Sequence, residues 1–386
     1  MKIPRINLLV QILIAIALGI GAGWVLPTWL GRLFITFNAI FSQLLGFLIP
    51  LIIVGFVAPA ISDIGKQAGK MLLATALIAY VATIFSGFMS LAVGESLFPH
   101  LITPGSAGDI KEANDLTPYF TVEIPPLMSV MTALVSAFIV GVCLSMMKGN
   151  VLKEAFSELR EIVEMCIRGL IIPLLPIYIF GIFLNMTVSG QVADVLSTFA
   201  KIIGVIFALH ILLLIFQYCI AALFVKRNPF PLLWTMLPAY FTALGTQSSA
   251  ATIPVTLRQT IKMGVSEEVA GFVIPLCATI HMSGSVMKIV TCALAIMIMQ
   301  SMPYDIPMMA GFICLLAITI VAAPGVPGGA IMASLGLLAS NLGFTESDLA
   351  LMIAIYIAMD SFGTACNVTG DGFIALIIDK FFGKKS

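Results

Sequence analysis

Long apolar runs separated by short polar connections fill this chain. Residues 8–26, 33–57, 71–93, 127–147, 202–225 and 269–299 are each long enough to cross a hydrocarbon layer of ~30 Å at ~1.5 Å per residue. Residues 171–186, interrupted by Pro173 and Pro176, and residues 349–378 add two further crossings. The lengths and the lack of two-residue alternation predict helices rather than barrel strands. The expected fold is an all-α polytopic membrane protein with eight transmembrane helices.

Two more apolar stretches fit neither span nor loop. In residues 240–254 the sequence Gly245-Thr-Gln-Ser-Ser-Ala-Ala-Thr-Ile-Pro254 lies between Lys226 and Arg227 on one side and Arg258 and Lys262 on the other. A segment that enters and leaves by one face is a re-entrant hairpin, and its polar tip must be buried in protein or wet. Residues 308–338 repeat the pattern around Ala-Pro-Gly-Val-Pro-Gly-Gly-Ala, with the mouth expected on the opposite face. Pro-Gly clusters also make ordinary turns between helices, and small residues also serve helix packing. Two broken hairpins of opposite orientation are nevertheless the sequence sign of an inverted-repeat transporter with its site near the midplane.

Charge sets the orientation. The hydrophobic share is 60% against 10% charged, and 19 basic residues balance 19 acidic ones, so no bulk attraction to nucleic acid is implied. Basic residues cluster on alternate connections: Lys2 and Arg5; Lys66 and Lys70; Lys148, Lys153, Arg160 and Arg168; Lys226 and Arg227; Lys380, Lys384 and Lys385. By the positive-inside rule that side is the cytoplasm, with both termini on it, in the cell's inner (plasma) membrane. The opposite face holds Arg32, Lys111 and Lys201 and a long connection, 98–123, that reads as a solvated loop. The first apolar run is too long for the core of a signal peptide and has no small-residue cleavage site, so it is counted as a span. Seven scattered cysteines without a C-x-x-C pair read as small buried hydrophobes.

Chemistry concentrates near the carboxyl end. Asp360, Thr364, Asn367 and Asp371 fall at i, i+4, i+7 and i+11, one polar stripe on an apolar helix. Ionisable groups at membrane depth cost several kcal/mol and mark solute or ion paths. In the seventh span His281, Ser285 and Lys288 recur at i, i+4 and i+7, which predicts a shared face. Lys288 must pair with an acid or give up its proton there, and Asp360 and Asp371 are the candidates. A lone His281 is more often a packing residue than a titrating one.

Four ordered motifs, Gly245–Thr256, Pro275–Ser285, Gly325–Met332 and Asp360–Asp371, resemble the first hairpin tip, seventh helix, second hairpin tip and eighth helix of the glutamate transporter family. These are the dicarboxylate/amino acid:cation symporters, and the resemblance extends to the rest of the chain by span order. It implies eight helices plus two re-entrant helical hairpins in an elevator fold. Residues 1–70 (spans one and two) and 99–200 (the extracytoplasmic loop and spans four and five) would form a trimerising scaffold. Residues 71–98 (span three) and 201–386 would form the transport domain.

The resemblance further implies a solute site of Ser248, Ser249, Ser285, Val326, Gly328, Asp360, Gly363, Thr364 and Asn367. In it Asp360 holds an ammonium, Asn367 an α-carboxylate, and residues 326–329 form the lid tip. Asn367 and Asp371 resemble one sodium site, and Thr279 with Met282 part of another. The implied partners are a small solute, its driving cation (Na+ and/or H+), the lipid bilayer and two further copies of the chain in a homotrimer, with no cofactor and no enzymatic activity.

Departures from that pattern are as informative. Gly363 stands where acidic-substrate members carry an Arg three residues after the substrate-binding acid, so the guanidinium fork for a second carboxylate is missing. This favours a neutral, small amino acid; alternatively Lys288 supplies the missing charge and acidic amino acids or C4-dicarboxylates remain substrates. The seventh helix reads His281-Met-Ser-Gly-Ser285 in place of the usual Asn-Met-Asp-Gly-Thr. A fixed or titrating cation, His281 or Lys288, is thus expected to replace a sodium ion. Two other classes compete. An anion channel could use the same stripe, although lids favour an occluded site. A hydrolase would need His281 beside a serine and an orienting acid, which this helix does not supply.

Overall fold

The computed structural model describes residues 8–66, 69–103, 116–190, 192–321, 323 and 328–383. Val326, Gly325, the basic residues Lys2, Arg5, Lys111, Lys384 and Lys385, and residues 104–115 of the long connection lie outside them. Both stretches of uncertain character are hairpins of two short helices.

The helices are α1 (Leu8–Val25), α2 (Thr28–Lys66), α3 (Lys70–Leu101), α4 (Val130–Met146), α5 (Val151–Cys166) and α6 (Ile172–Val188). They continue with α7 (Val192–Val225), α8 (Pro229–Thr235), α9 (Leu237–Thr246), α10 (Ser249–Lys262), α11 (Glu267–Ile280) and α12 (Ser283–Met299). The last four are α13 (Ile306–Val321), α14 (Gly329–Leu342), α15 (Glu346–Ala358) and α16 (Asp360–Phe382). Among the described residues seven helical stretches are long and apolar enough to cross a membrane. The expected fourth span is α4, shorter at 17 residues.

Outward positions such as Leu18, Leu77, Ile139 and Ile211 are exposed apolar side chains, suited to lipid. Some helix starts are capped by side chains: Ser129 accepts from Thr132 N–H to start α4, and Thr345 with Asp348 forms a capping box on α15. α5 carries its charges on one face, and a five-residue π-helical turn, Ile167–Ile171, joins it to α6.

Packing gathers the helices around two apolar cores. α1 lies along α6 and α2 along α4. α12 runs along α3, while α16 is surrounded by α7, α9, α10, α11 and α12. Every residue of α12 is buried, and so is nearly all of α16 from Asp360 to Ile378. Helices so enclosed can carry polar side chains at membrane depth without meeting lipid.

The expected seventh and eighth spans are each broken in two, which the apolar runs did not reveal. His281 (φ −99°, ψ 105°) and Met282 (φ −125°, ψ 34°) leave helical geometry between α11 and α12. Met359 (φ −115°, ψ 10°) does the same between α15 and α16. His281 therefore ends one helix while Ser285 and Lys288 stand on the next, so the three do not share a helical face. Side-chain donors and acceptors from neighbouring helices replace the backbone bonds lost at each break, and this decides where the polar residues must sit.

Candidate functional site

At the first break the free backbone groups are matched one by one. Gly284 and Ser285 N–H, at the start of α12, donate to Asn367 Oδ1 at 2.7 and 3.3 Å. Met282 N–H donates to Thr83 Oγ1 at 3.4 Å. The Ser283 carbonyl accepts from Ser86 Oγ at 2.8 Å, and the Gly284 carbonyl pairs with His210 Nε2 at 3.1 Å. Buried backbone groups left unmatched would each cost about 1–3 kcal/mol, so these side chains make the break tolerable. Asn367 is fixed from its other end as well, its Nδ2 donating to Ser285 Oγ at 3.0 Å. Tyr356 OH reaches the same Oγ at 3.2 Å.

The second break is held by a charge pair. Asp360 occupies the first position of α16, where the helix dipole favours a carboxylate. Its Oδ2 accepts from Gly328 N–H, at the tip of the α13–α14 hairpin, at 2.7 Å. Its Oδ1 lies 3.3 Å from Lys288 Nζ, which also donates to the Met359 carbonyl at 3.3 Å and stands 3.6 Å over the centre of the Tyr356 ring. A cation beside a helix C-terminal carbonyl and an aromatic face is stabilised on both sides. Lys288 is wholly buried, whereas the Asp360 side chain keeps 9% exposure.

That exposure opens on a cavity of about 540 Å³. Asp360, Thr364, Asn367, Tyr356, Met282 and Ser285 line it, together with Gly329 and Ala330 of the second hairpin. Gln247 to Ala250, the tip of the α9–α10 hairpin, form a further wall, and Arg160, Glu161 and Glu164 of α5 another. The first tip is shaped by Gln247, which turns through left-handed backbone (φ 53°), and by Ser248, whose Oγ accepts from Ala251 N–H at 3.3 Å to start α10. The second enters α14 through Gly328 at φ 76°, a conformation that glycine adopts without steric cost. The starts of two helices, one of them already donating to Asp360 through Gly328 N–H, thus border the same cavity as a carboxylate and an amide, an arrangement suited to a zwitterion.

A second pair lies outside the cavity wall. His281 Nδ1 is 3.0 Å from Asp371 Oδ1, and the side chains keep 0% and 2% exposure. The ring fits because residue 370 is glycine: a Cβ there would lie 2.5 Å from His281 Cε1 and 2.9 Å from Gln217 Oε1. Among the described residues His281 Nε2 and Gln217 Oε1 have no hydrogen-bond partner, while Gln217 Nε2 donates to Ser283 Oγ at 3.3 Å. Histidine is thus supplied with the orienting acid that its own helix lacks, but Ser283 is engaged with Gln217.

The sequence-derived residues fall into three groups. Ser248, Ser249, Ser285, Asp360, Thr364, Asn367, Thr279 and Met282 line the cavity. Gly328 touches Asp360 from the lid side, and Gly363 packs against Lys288. His281, Lys288 and Asp371 stand behind the wall, Lys288 on Asp360 and His281 on Asp371. The oxygens expected to hold a cation are turned to protein donors: Asn367 Oδ1 to two backbone N–H groups and Asp371 Oδ1 to the imidazole. Thr279 Oγ1 donates to the Leu276 carbonyl at 2.7 Å.

Sequence reading passed over Tyr356, His210, Gln217, Thr83 and Ser86. His210 and Gln217 carried a usable signal, two polar residues at i and i+7 in an apolar span. Among the described residues no cluster of three or more His, Cys, Asp or Glu could hold a metal ion.

Comparison with known proteins places the whole chain beside membrane transporters. The family model of the sodium:dicarboxylate symporter family matches residues 8–381. A serine/threonine transporter, SstT, of Acinetobacter baylyi is 25% identical, the match covering 97% of this chain and 98% of the relative. Its counterpart in Acinetobacter baumannii is 26% identical over 97% of both. Excitatory amino acid transporter 4 of Mus musculus is 32% identical across 60% of this chain and 42% of its own length.

Proposed function

The chain belongs to the sodium:dicarboxylate symporter family, and from that premise we propose that it carries a small neutral amino acid across the membrane, coupled to a cation. One observation carries the reading. Asp360 lines a cavity walled in part by the serine-rich hairpin tip, and position 363, where a guanidinium would hold a second carboxylate, bears no side chain. Asp360 receives the solute's ammonium. Ser248 and Ser249 offer hydroxyl or backbone donors to its α-carboxylate, Thr364 lines the wall beside Asp360, and Asn367 with Ser285 fixes the floor. Gly328, and Val326 beside it in sequence, belong to the lid. The serine/threonine transporters among the relatives support a solute of this size.

The driving ion is the finer question. On the family pattern a sodium ion sits with Asn367 and Asp371, but here the His281 imidazole stands against Asp371. His281 therefore takes over that cation's role, so that protons drive transport in part or in whole. Sodium, where it acts, binds at Thr279 and Met282 beside the second hairpin. Residues 71–98 and 201–386 move as one body against a scaffold of 1–70 and 99–200. Three copies assemble through that scaffold in the plasma membrane, with both termini in the cytoplasm.

Uptake of labelled L-serine into proteoliposomes tests both levels. Saturable uptake driven by a pH gradient without sodium is expected. Strict sodium dependence with no response to pH removes the role of His281, and failure to move any neutral amino acid removes the substrate assignment. One observation favours a second reading: Lys288 Nζ lies against the bare Cα of Gly363, close to where an Arg side chain would begin. On that reading L-aspartate or succinate would raise the unfolding temperature more than L-serine does.

A further inference from the structure

Both carboxylate oxygens of Asp360 are already engaged by this chain. Oδ1 faces Lys288 Nζ at 3.3 Å, and Oδ2 accepts from Gly328 N–H at 2.7 Å. The ammonium is held in place by the Met359 carbonyl and the Tyr356 ring, and it reaches this position only because residue 363 has no side chain. A Cβ on Gly363 would run into Lys288 Cε and lie 2.6 Å from Nζ. The lysine is sealed from the cavity, whereas the carboxylate borders it.

A solute amine arriving from the cavity therefore meets a carboxylate whose charge is balanced from behind. We propose that Lys288 is a tethered competitor for the solute's amine and sets how much that amine contributes to recognition. The inference rests on the amino acid reading given above. Apparent affinity for an amino acid falls by the fraction of time Lys288 holds Asp360. A solute with a hydroxyl in place of the amine leaves the Lys288–Asp360 pair intact and hydrogen-bonds to the balanced carboxylate. The accepted class thereby widens from small 2-amino acids to the matching 2-hydroxy acids.

Equilibrium binding of L-serine and of glycerate to the full-length protein, with wild type, Lys288→Met and Gly363→Ala, tests this. Gly363→Ala keeps the ammonium but pushes it off Asp360, so the two variants reach one end by different routes. Wild type is expected to prefer L-serine over glycerate by no more than about tenfold. In either variant L-serine binding tightens by about tenfold or more and the preference widens to about a hundredfold or more. A wild-type preference already of about a hundredfold overturns the proposal without recourse to the variants. So does a folded variant of either kind whose preference is unchanged. If wild type binds and transports L-serine while these ratios stay fixed, the tethered competitor alone is wrong. If wild type binds neither compound, the amino acid reading falls and takes this inference with it.

Discussion

The two buried charge pairs of α16 are built from similar parts and placed in opposite surroundings. Lys288–Asp360 borders the cavity and touches the second hairpin's tip, and its acid keeps some exposure. His281–Asp371, three helical turns further along α16, is closed on every side and faces Gln217 rather than the cavity. A charge that borders the cavity and is met by a single backbone N–H from a hairpin can exchange its partner for a solute. A sealed one can only keep its partner or change protonation, and such positions suit an internal cation.

The largest effect expected from this contrast is on stability. His281→Leu strands the Asp371 carboxylate in a closed site and should cost about 3–5 kcal/mol. Lys288→Leu should cost less, because Asp360 retains the Gly328 N–H and access to water. Chemical unfolding of the two variants in detergent gives the order, and a greater loss for Lys288→Leu would erase the distinction between the pairs. Next comes ligand binding: Asp360→Asn should weaken L-serine by about a hundredfold or more, about 2.8 kcal/mol, while leaving assembly intact. Unchanged affinity, read by calorimetry, would refute the role given to Asp360.

Gly370→Ala is the third, smaller step. Its Cβ would crowd the His281 ring, and overpacking of a closed site costs about 1–3 kcal/mol. The variant should lower the unfolding temperature and blunt any response of uptake to pH while sparing L-serine binding at fixed pH. Loss of binding with an intact pH response would reverse the two roles. The smallest expected change is at the first hairpin: Ser248→Ala removes the cap of α10, worth about 1 kcal/mol. Faster amide exchange confined to residues 249–252 would register it, and unaltered exchange would mean that the cap does not hold the tip.

Much of this was legible in the sequence, and the exceptions share one cause. The spans followed from apolar length, the first hairpin from a polar tip between basic flanks, and the second from a Pro-Gly interruption of an apolar run. Asp360, Thr364 and Asn367 stood out because carboxylates and amides are costly in an apolar run. The breaks at His281–Met282 and Met359 were hidden, since neither contains Gly or Pro at the turning residue. What opens the helix there is a set of donors on other helices, Thr83, Ser86, His210 and Asn367, and no local pattern reports them. The partition of the two acids followed the same rule: periodicity gave Lys288 two candidates, and only the break, by moving His281 onto the end of α11, assigned one base to each acid.

The most direct test of the account is counterflow of labelled L-serine in proteoliposomes with wild type, Asp360→Asn and His281→Gln side by side, with and without an imposed pH difference. Saturable exchange by wild type and none by Asp360→Asn is the expected result. His281→Gln should still exchange L-serine but no longer accumulate it when only the pH difference drives it. Equal exchange by wild type and Asp360→Asn would contradict it, because the solute would then be bound somewhere other than at the second helix break.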